Sequence, residues 1–143
     1  MKTVASILAV KGAEVFAVAP GASVYDALQV LAEKNVGALA VVDGGKLVGI
    51  LSERDYARKV VLVDRSSRGT LVSEIMTAKV NTVAPTWSIE ECMELMTERH
   101  VRHLPVLDGE ELVGVISIGD VVKAVIADLA AMVEQLDAYI RGR

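Results

Sequence analysis

Leu47-Val48-Gly49-Ile50-Leu51-Ser52-Glu53-Arg54-Asp55 recurs 65 positions later as Leu112-Val113-Gly114-Val115-Ile116-Ser117-Ile118-Gly119-Asp120. Each copy is an apolar run that closes in Ser-x-x-Asp and passes into a helical pattern. An unbroken apolar run of this length, bounded by turn signals, reads as a buried strand. Ser-x-x-Asp reads as the first turn of the helix that follows, with Ser as its cap. A helix start leaves backbone N–H groups unpaired and carries the positive end of the helix dipole, so it can hold an anion. The Asp cannot take a phosphate, because like charges repel, but its oxygens can accept hydrogen bonds from sugar hydroxyls. One strand-to-helix corner can therefore serve both parts of a nucleotide.

The repeat extends outward from these corners. Val15 to Val61 aligns with Val80 to Ile126 without a gap. Val18-Ala19-Pro20 matches Val83-Ala84-Pro85, and Asp43-Gly44 matches Asp108-Gly109. Upstream, Val4-Ala5-Ser6-Ile7-Leu8 echoes Val72-Ser73-Glu74-Ile75-Met76 at an offset of 68, so the first copy has extra residues near Lys11-Gly12-Ala13. Each copy predicts a short helix (4–10; 72–77), a strand ended by Pro (15–19; 80–84), a helix, and two strands (38–42, 47–51; 103–107, 112–116). Val24, Ala27, Leu28 and Leu31, like Ile89, Cys92, Met93 and Met96, fall on one helix face,. Ser23-x-x-Asp26 and Ser88-x-x-Glu91 are capping boxes for those helices. Asp-Gly between apolar runs predicts a hairpin. The expected fold is α+β: two β-α-β-β-α repeats related by a pseudo-twofold axis, plus a C-terminal helix. The expected segments are 1–63, a polar linker at 64–71, 72–126, and a helical extension over 127–143.

Composition excludes several functions. Hydrophobic residues reach 52% but aromatics only 3%, so base-stacking platforms are scarce. The net charge of -4 argues against a nucleic-acid surface,. Charged residues interrupt every apolar run short of a membrane span. Met1-Lys2-Thr3-Val4 starts no apolar leader, and a cytoplasmic protein is expected,. No nucleophile–base constellation, P-loop or Cys pair is present, so no enzyme and no metal are expected. Cys92 reads as core. Val122, Val125, Leu129, Met132, Leu136 and Tyr139 are spaced as a coiled-coil seam, and a second copy of the chain is its simplest partner,.

The repeated strand-helix order, the Asp-Gly hairpin and the closing Ser-x-x-Asp resemble a tandem pair of CBS domains, or Bateman module. The resemblance covers about Val4 to Ile126. It implies binding of an adenine nucleotide (AMP, ADP, ATP or NAD) in clefts between the two halves, association as homodimers, and signalling to an effector protein. Carried over by position, it implies Ser52 and Asp55 at one site and Ser117 and Asp120 at the other, with Arg54 and Gly119 inside the two motifs. It implies adenine against Ala17, Val18, Gly37 and Ala38 in the first copy. In the second copy the matching residues are Thr82, Val83, Arg102, His103 and Pro105. The copies differ here, since Gly37-Ala38 becomes Arg102-His103, so the two sites are expected to be unequal. The alternative is a constitutive scaffold with degenerate sites, in which Ser-x-x-Asp only caps helices. The cations Arg54, Arg58, Lys59, Arg65 and Arg68 read either as a phosphate patch or as a solvated face.

Overall fold

A computed structural model describes residues 2–12 and 14–142. Ala13, in the three-residue insertion of the first copy, lies outside the described residues. The two Asp-Gly turns close two antiparallel hairpins. β2 (Ala38–Asp43) pairs with β3 (Lys46–Ser52), and β4 (His103–Asp108) pairs with β5 (Glu111–Ser117). Gly44, Gly45 and Gly109 all have positive φ, which is why glycine stands at the turns,. The ladders slip at equivalent points, between Val41 and Val42 and between Val106 and Leu107.

The strand expected at the start of each repeat survives in only one copy. β1 (Ala17–Val18) runs parallel to β2, and the Ala40 N–H donates to the Phe16 carbonyl at 3.3 Å. Pro105 stands where Ala40 stands, 65 residues on, and proline has no N–H to give,. The stretch expected as a strand at 80–84 is therefore reduced to one parallel bridge, Val83 to Val106.

The long helices begin where their caps predict. α2 (Val24–Lys34) and α5 (Ile89–Arg99) start after Ser23 and Ser88, whose hydroxyls accept from the backbone of Asp26 and Glu91. The short helices are exchanged between the halves. α1 (Val4–Lys11) buries Val4 and Ile7 with Ile89, Leu104 and Ile116 of the second repeat. α4 (Val72–Ile75) buries Val72 and Ile75 with Val24, Leu39 and Leu51 of the first. Gly114 and Gly49 make room for this exchange. A Cβ on Gly114 would come within 2.6 Å of Leu8, and one on Gly49 would come equally close to Met76. Cys92 is fully buried in the second core, which pushes its thiol up to about 11.

After the first Ser-x-x-Asp comes α3 (Glu53–Tyr56), which widens into a π-helical stretch at Ala57–Val61. The polar segment that follows is packed down. Val24 and Tyr25 donate to the carbonyls of Thr70 and Ser67, and Thr70 is buried. The nearby cations are used singly: Arg65 pairs with Glu74, Arg68 covers the Tyr25 ring, and Arg54 donates to the His100 carbonyl. The second Ser-x-x-Asp starts α6 (Ile118–Ile140). Val125 of the expected seam turns into the second core, while its other members stay exposed and Ile126, Val133 and Ile140 are exposed beside them.

Candidate functional site

At the second corner, the Ser117 N–H donates to the Asp120 carboxylate at 2.8 Å and the Asp120 N–H donates to the Ser117 hydroxyl at 3.2 Å. The reciprocal pair caps α6, a helix long enough to develop its dipole,. Lys11, at the end of α1, reaches across to this corner. Its ammonium donates to Asp120 at 2.7 Å and to the Val115 carbonyl at 2.8 Å. Burial raises the Asp120 carboxyl, but the hydrogen bonds from Lys11 and Ser117 outweigh it and hold the group below its usual value. Asp120 is therefore an anion at neutral pH, with most of its side chain withdrawn from water.

This corner opens on a cleft of about 510 Å³, large enough for a nucleoside,. Both repeats build it. Phe16, Asn35, Val36, Gly37 and Ala38 form one wall, while His103, Ser117 and Asp120 form the other, with Lys11 at the edge. Asn35 ends α2 in the left-handed conformation, which turns the chain into the wall,. Gly37 keeps the passage open, since a Cβ there would lie 3.2 Å from the His103 ring and 3.2 Å from Glu53. Burial pushes the His103 imidazole below its ordinary value; Asp120 opposes this, and Lys11 and Arg102 reinforce it. Chemically, the cleft combines the Asp120 carboxylate for hydroxyl groups, a second carboxylate at Glu14, the Lys11 ammonium, and an apolar face with one aromatic ring.

The first corner has the same reciprocal cap and different neighbours. The Asp55 carboxylate accepts from the Ser52 N–H at 3.0 Å and from the Ser52 hydroxyl at 3.1 Å. The Thr77 hydroxyl adds a bond at 3.3 Å, and Lys59 sits 3.2 Å away. Asp55 is 8% exposed. Arg54 and Arg102 line a different, smaller hollow of about 260 Å³ between α5 and α6, with His100, Met93, Met96 and Val122.

Of the residues implied by the sequence, Gly37, Ala38, His103, Ser117 and Asp120 meet in the large cleft. Ala17 is exposed on β1, and Val18 packs against the first core. Thr82 is half-buried, whereas Val83 and Pro105 are buried. Gly119 is exposed in the first turn of α6. Sequence reasoning missed Lys11 and Phe16. The insertion near Lys11 was the available signal for the first, because extra residues there alter how α1 ends. The second is the chain's single Phe. Among the described residues, no group of three His, Cys, Asp or Glu is placed to hold a metal, and no helix is long and apolar enough to cross a membrane.

These features define a class: an α+β chain of two like repeats that exchange their short helices and enclose a cleft between them. The chain belongs to the CBS-domain family, whose model matches residues 9–62 and 72–127. The CBS domain-containing protein CBSX3, mitochondrial, of Arabidopsis thaliana is 44% identical over 125 residues, covering 84% of this chain. The match spans 61% of that relative's length. A CBS-domain protein of Burkholderia ambifaria has a solved structure with TM-score 0.85 and 58% identity, covering 89% of this chain and 96% of that one. The CBS domain pair of protein MJ0100, solved in complex with 5′-methylthioadenosine and S-adenosyl-L-methionine, matches with TM-score 0.78 and 25% identity. That match covers 90% of this chain and 98% of the other.

Proposed function

We propose that this chain is a regulatory module that binds an adenosine-containing ligand (AMP, ADP, ATP or NAD) in the cleft at Asp120 and signals to an effector protein. One observation carries the reading: Gly37 and Ala38 of one repeat share a 510 Å³ cleft with His103, Ser117 and Asp120 of the other. The adenosine moiety common to both ligands of the MJ0100 pair supports the ligand class. On this reading, Asp120 accepts from the ribose hydroxyls. Phe16, Val36 and Ala38 offer the base an apolar face.

Lys11 gives the reading a mechanism. Ribose hydroxyls compete with its ammonium for one carboxylate, so ligand entry shifts the end of α1. α1 packs in the second core, so its position couples the cleft to the arrangement of the halves. The ligand moves that equilibrium only by its differential affinity for the two arrangements. A second copy of the chain is the proposed partner for the exposed face of α6.

A thermal-shift series with nucleotide-free protein tests the reading, using AMP, ADP, ATP, NAD and S-adenosylmethionine, with GTP as control. A ligand at a hundred times its dissociation constant adds about 2.7 kcal/mol, several degrees for a chain of this size. A selective rise with an adenosine ligand is expected. No rise with any of them overturns the sensor and favours the scaffold, for which the fully paired Asp55 already speaks.

A further inference from the structure

The last helix carries a row of apolar side chains that its own chain does not cover. Val122, Ile126, Leu129, Val133, Leu136 and Ile140 are all exposed, Ile140 to 80%. They follow one another at alternating steps of four and three residues, the a/d spacing of a coiled coil,. From Leu129 to Ile140 every residue except Ala138 is exposed, so this half of α6 stands clear of its own chain. The stripe is about 27 Å long at 1.5 Å per residue.

The charges beside the stripe select both the partner and its direction. Resting on the self-association proposed above, we propose that α6 pairs antiparallel with α6 of a second copy. Aligning the stripes head to tail sets Val122 against Ile140 of the second copy, Ile126 against Leu136, and Leu129 against Val133. Every apolar layer is then filled. In this register Lys123 faces Asp137 of the second copy, and the twofold axis repeats the pair. A parallel alignment sets Lys123 beside Ile118 and Asp137 beside Met132, with no opposite charge to meet. Asp137 already bonds Arg141 of its own helix at 3.1 Å, but that pair is exposed and leaves carboxylate oxygens free,.

The antiparallel register also accounts for the smaller hollow. Ile118, Val121 and Val122 line it together with Met93 and Met96. Met93 and Ile118 are 43% and 46% exposed at its mouth. Ile140 of the second copy, lying against Val122, arrives at this hollow with Tyr139 beside it. The stripe and the hollow thus form one continuous apolar surface that a single partner covers.

The test uses the full chain in analytical ultracentrifugation. Leu129→Lys is expected to leave a folded monomer by circular dichroism, with adenosine-ligand binding retained. Lys123→Glu and Asp137→Lys are each expected to weaken the dimer, by roughly fivefold for a pair of this exposure, and the double variant to restore it. Spin labels at Arg141→Cys are expected about 30 Å apart in an antiparallel pair and about 10 Å apart in a parallel one. A short label distance, or a double variant no tighter than the singles, overturns the antiparallel pairing. A dimer indifferent to Leu129→Lys moves association to another face and overturns the role of α6. A monomer at every concentration overturns self-association altogether and leaves the ligand reading standing.

Discussion

Asp55 and Asp120 occupy the same corner of two like repeats, with the same serine cap, and they differ in what the exchanged short helix brings to them. α4 stops at Ile75, and the chain after it lies against β3, where Thr77 pairs with Ile50 and gives its hydroxyl to Asp55. α1 stays helical to Lys11, which crosses to Asp120 instead. Asp55 therefore has hydrogen bonds from Ser52 and Thr77 as well as Lys59, whereas Asp120, beyond its Ser117 cap, is met by one flexible ammonium at the edge of a cleft. A repeated motif supplies chemistry in each copy, but the neighbours decide whether that chemistry is spent on structure or left open to a ligand.

The largest expected effect tests this contrast directly. Asp120→Ala is expected to weaken adenosine-ligand binding about 100-fold, as loss of hydrogen bonds to a charged acceptor would, and to cost only about 1 kcal/mol of cap stability. Asp55→Ala is expected to do the reverse. Binding stays within a few-fold, while the orphaned Ser52 and Thr77 donors cost about 2 kcal/mol in urea denaturation. Equal loss of binding in both variants, measured by calorimetry, would break the comparison.

A smaller effect probes the exchange of short helices that creates the difference. Gly114→Ala drives a methyl group into Leu8, and about 1–3 kcal/mol of destabilisation is expected,. Adding Leu8→Ala is expected to recover part of that loss, whereas adding Met76→Ala is expected to recover none. A recovery that does not distinguish the two would show that α1 is not what lies on Gly114.

The smallest effect is a pH slope. Burial holds His103 below its ordinary value in the folded chain, so between its lowered folded value and about 6.5 the unfolded chain binds more protons,. Stability is thus fully present above about pH 6.5 and falls as the pH drops toward the folded value. His103→Asn is expected to flatten this slope in thermal melts between pH 7.5 and pH 5.5. Asp120, also lowered, adds its own loss only further down, below about pH 4,. A wild-type melt flat down to pH 5 would mean that His103 is not confined by the cleft.

Local chemistry was readable without coordinates. The Asp-Gly turns, the serine caps and the apolar strands each act over a few residues, and hairpins, helix starts and corners followed from them. The strand expected at 80–84 failed for an equally local reason, visible only once pairing is known: Pro105 stands opposite it without an N–H,. The seam of α6 lost one position because period alone does not say which flank the body of the protein covers, and it covers Val125.

The residues alone spelled out two copies of one α+β unit, each passing from strand to helix at a Ser-x-x-Asp. Which of those corners borders a cleft followed from how the repeats pack on each other. Lys11 meets Asp120 across 109 positions of chain, and Gly37 meets His103 across the boundary between repeats. Such contacts leave no periodicity in the sequence, because they arise from how two finished units are set against each other.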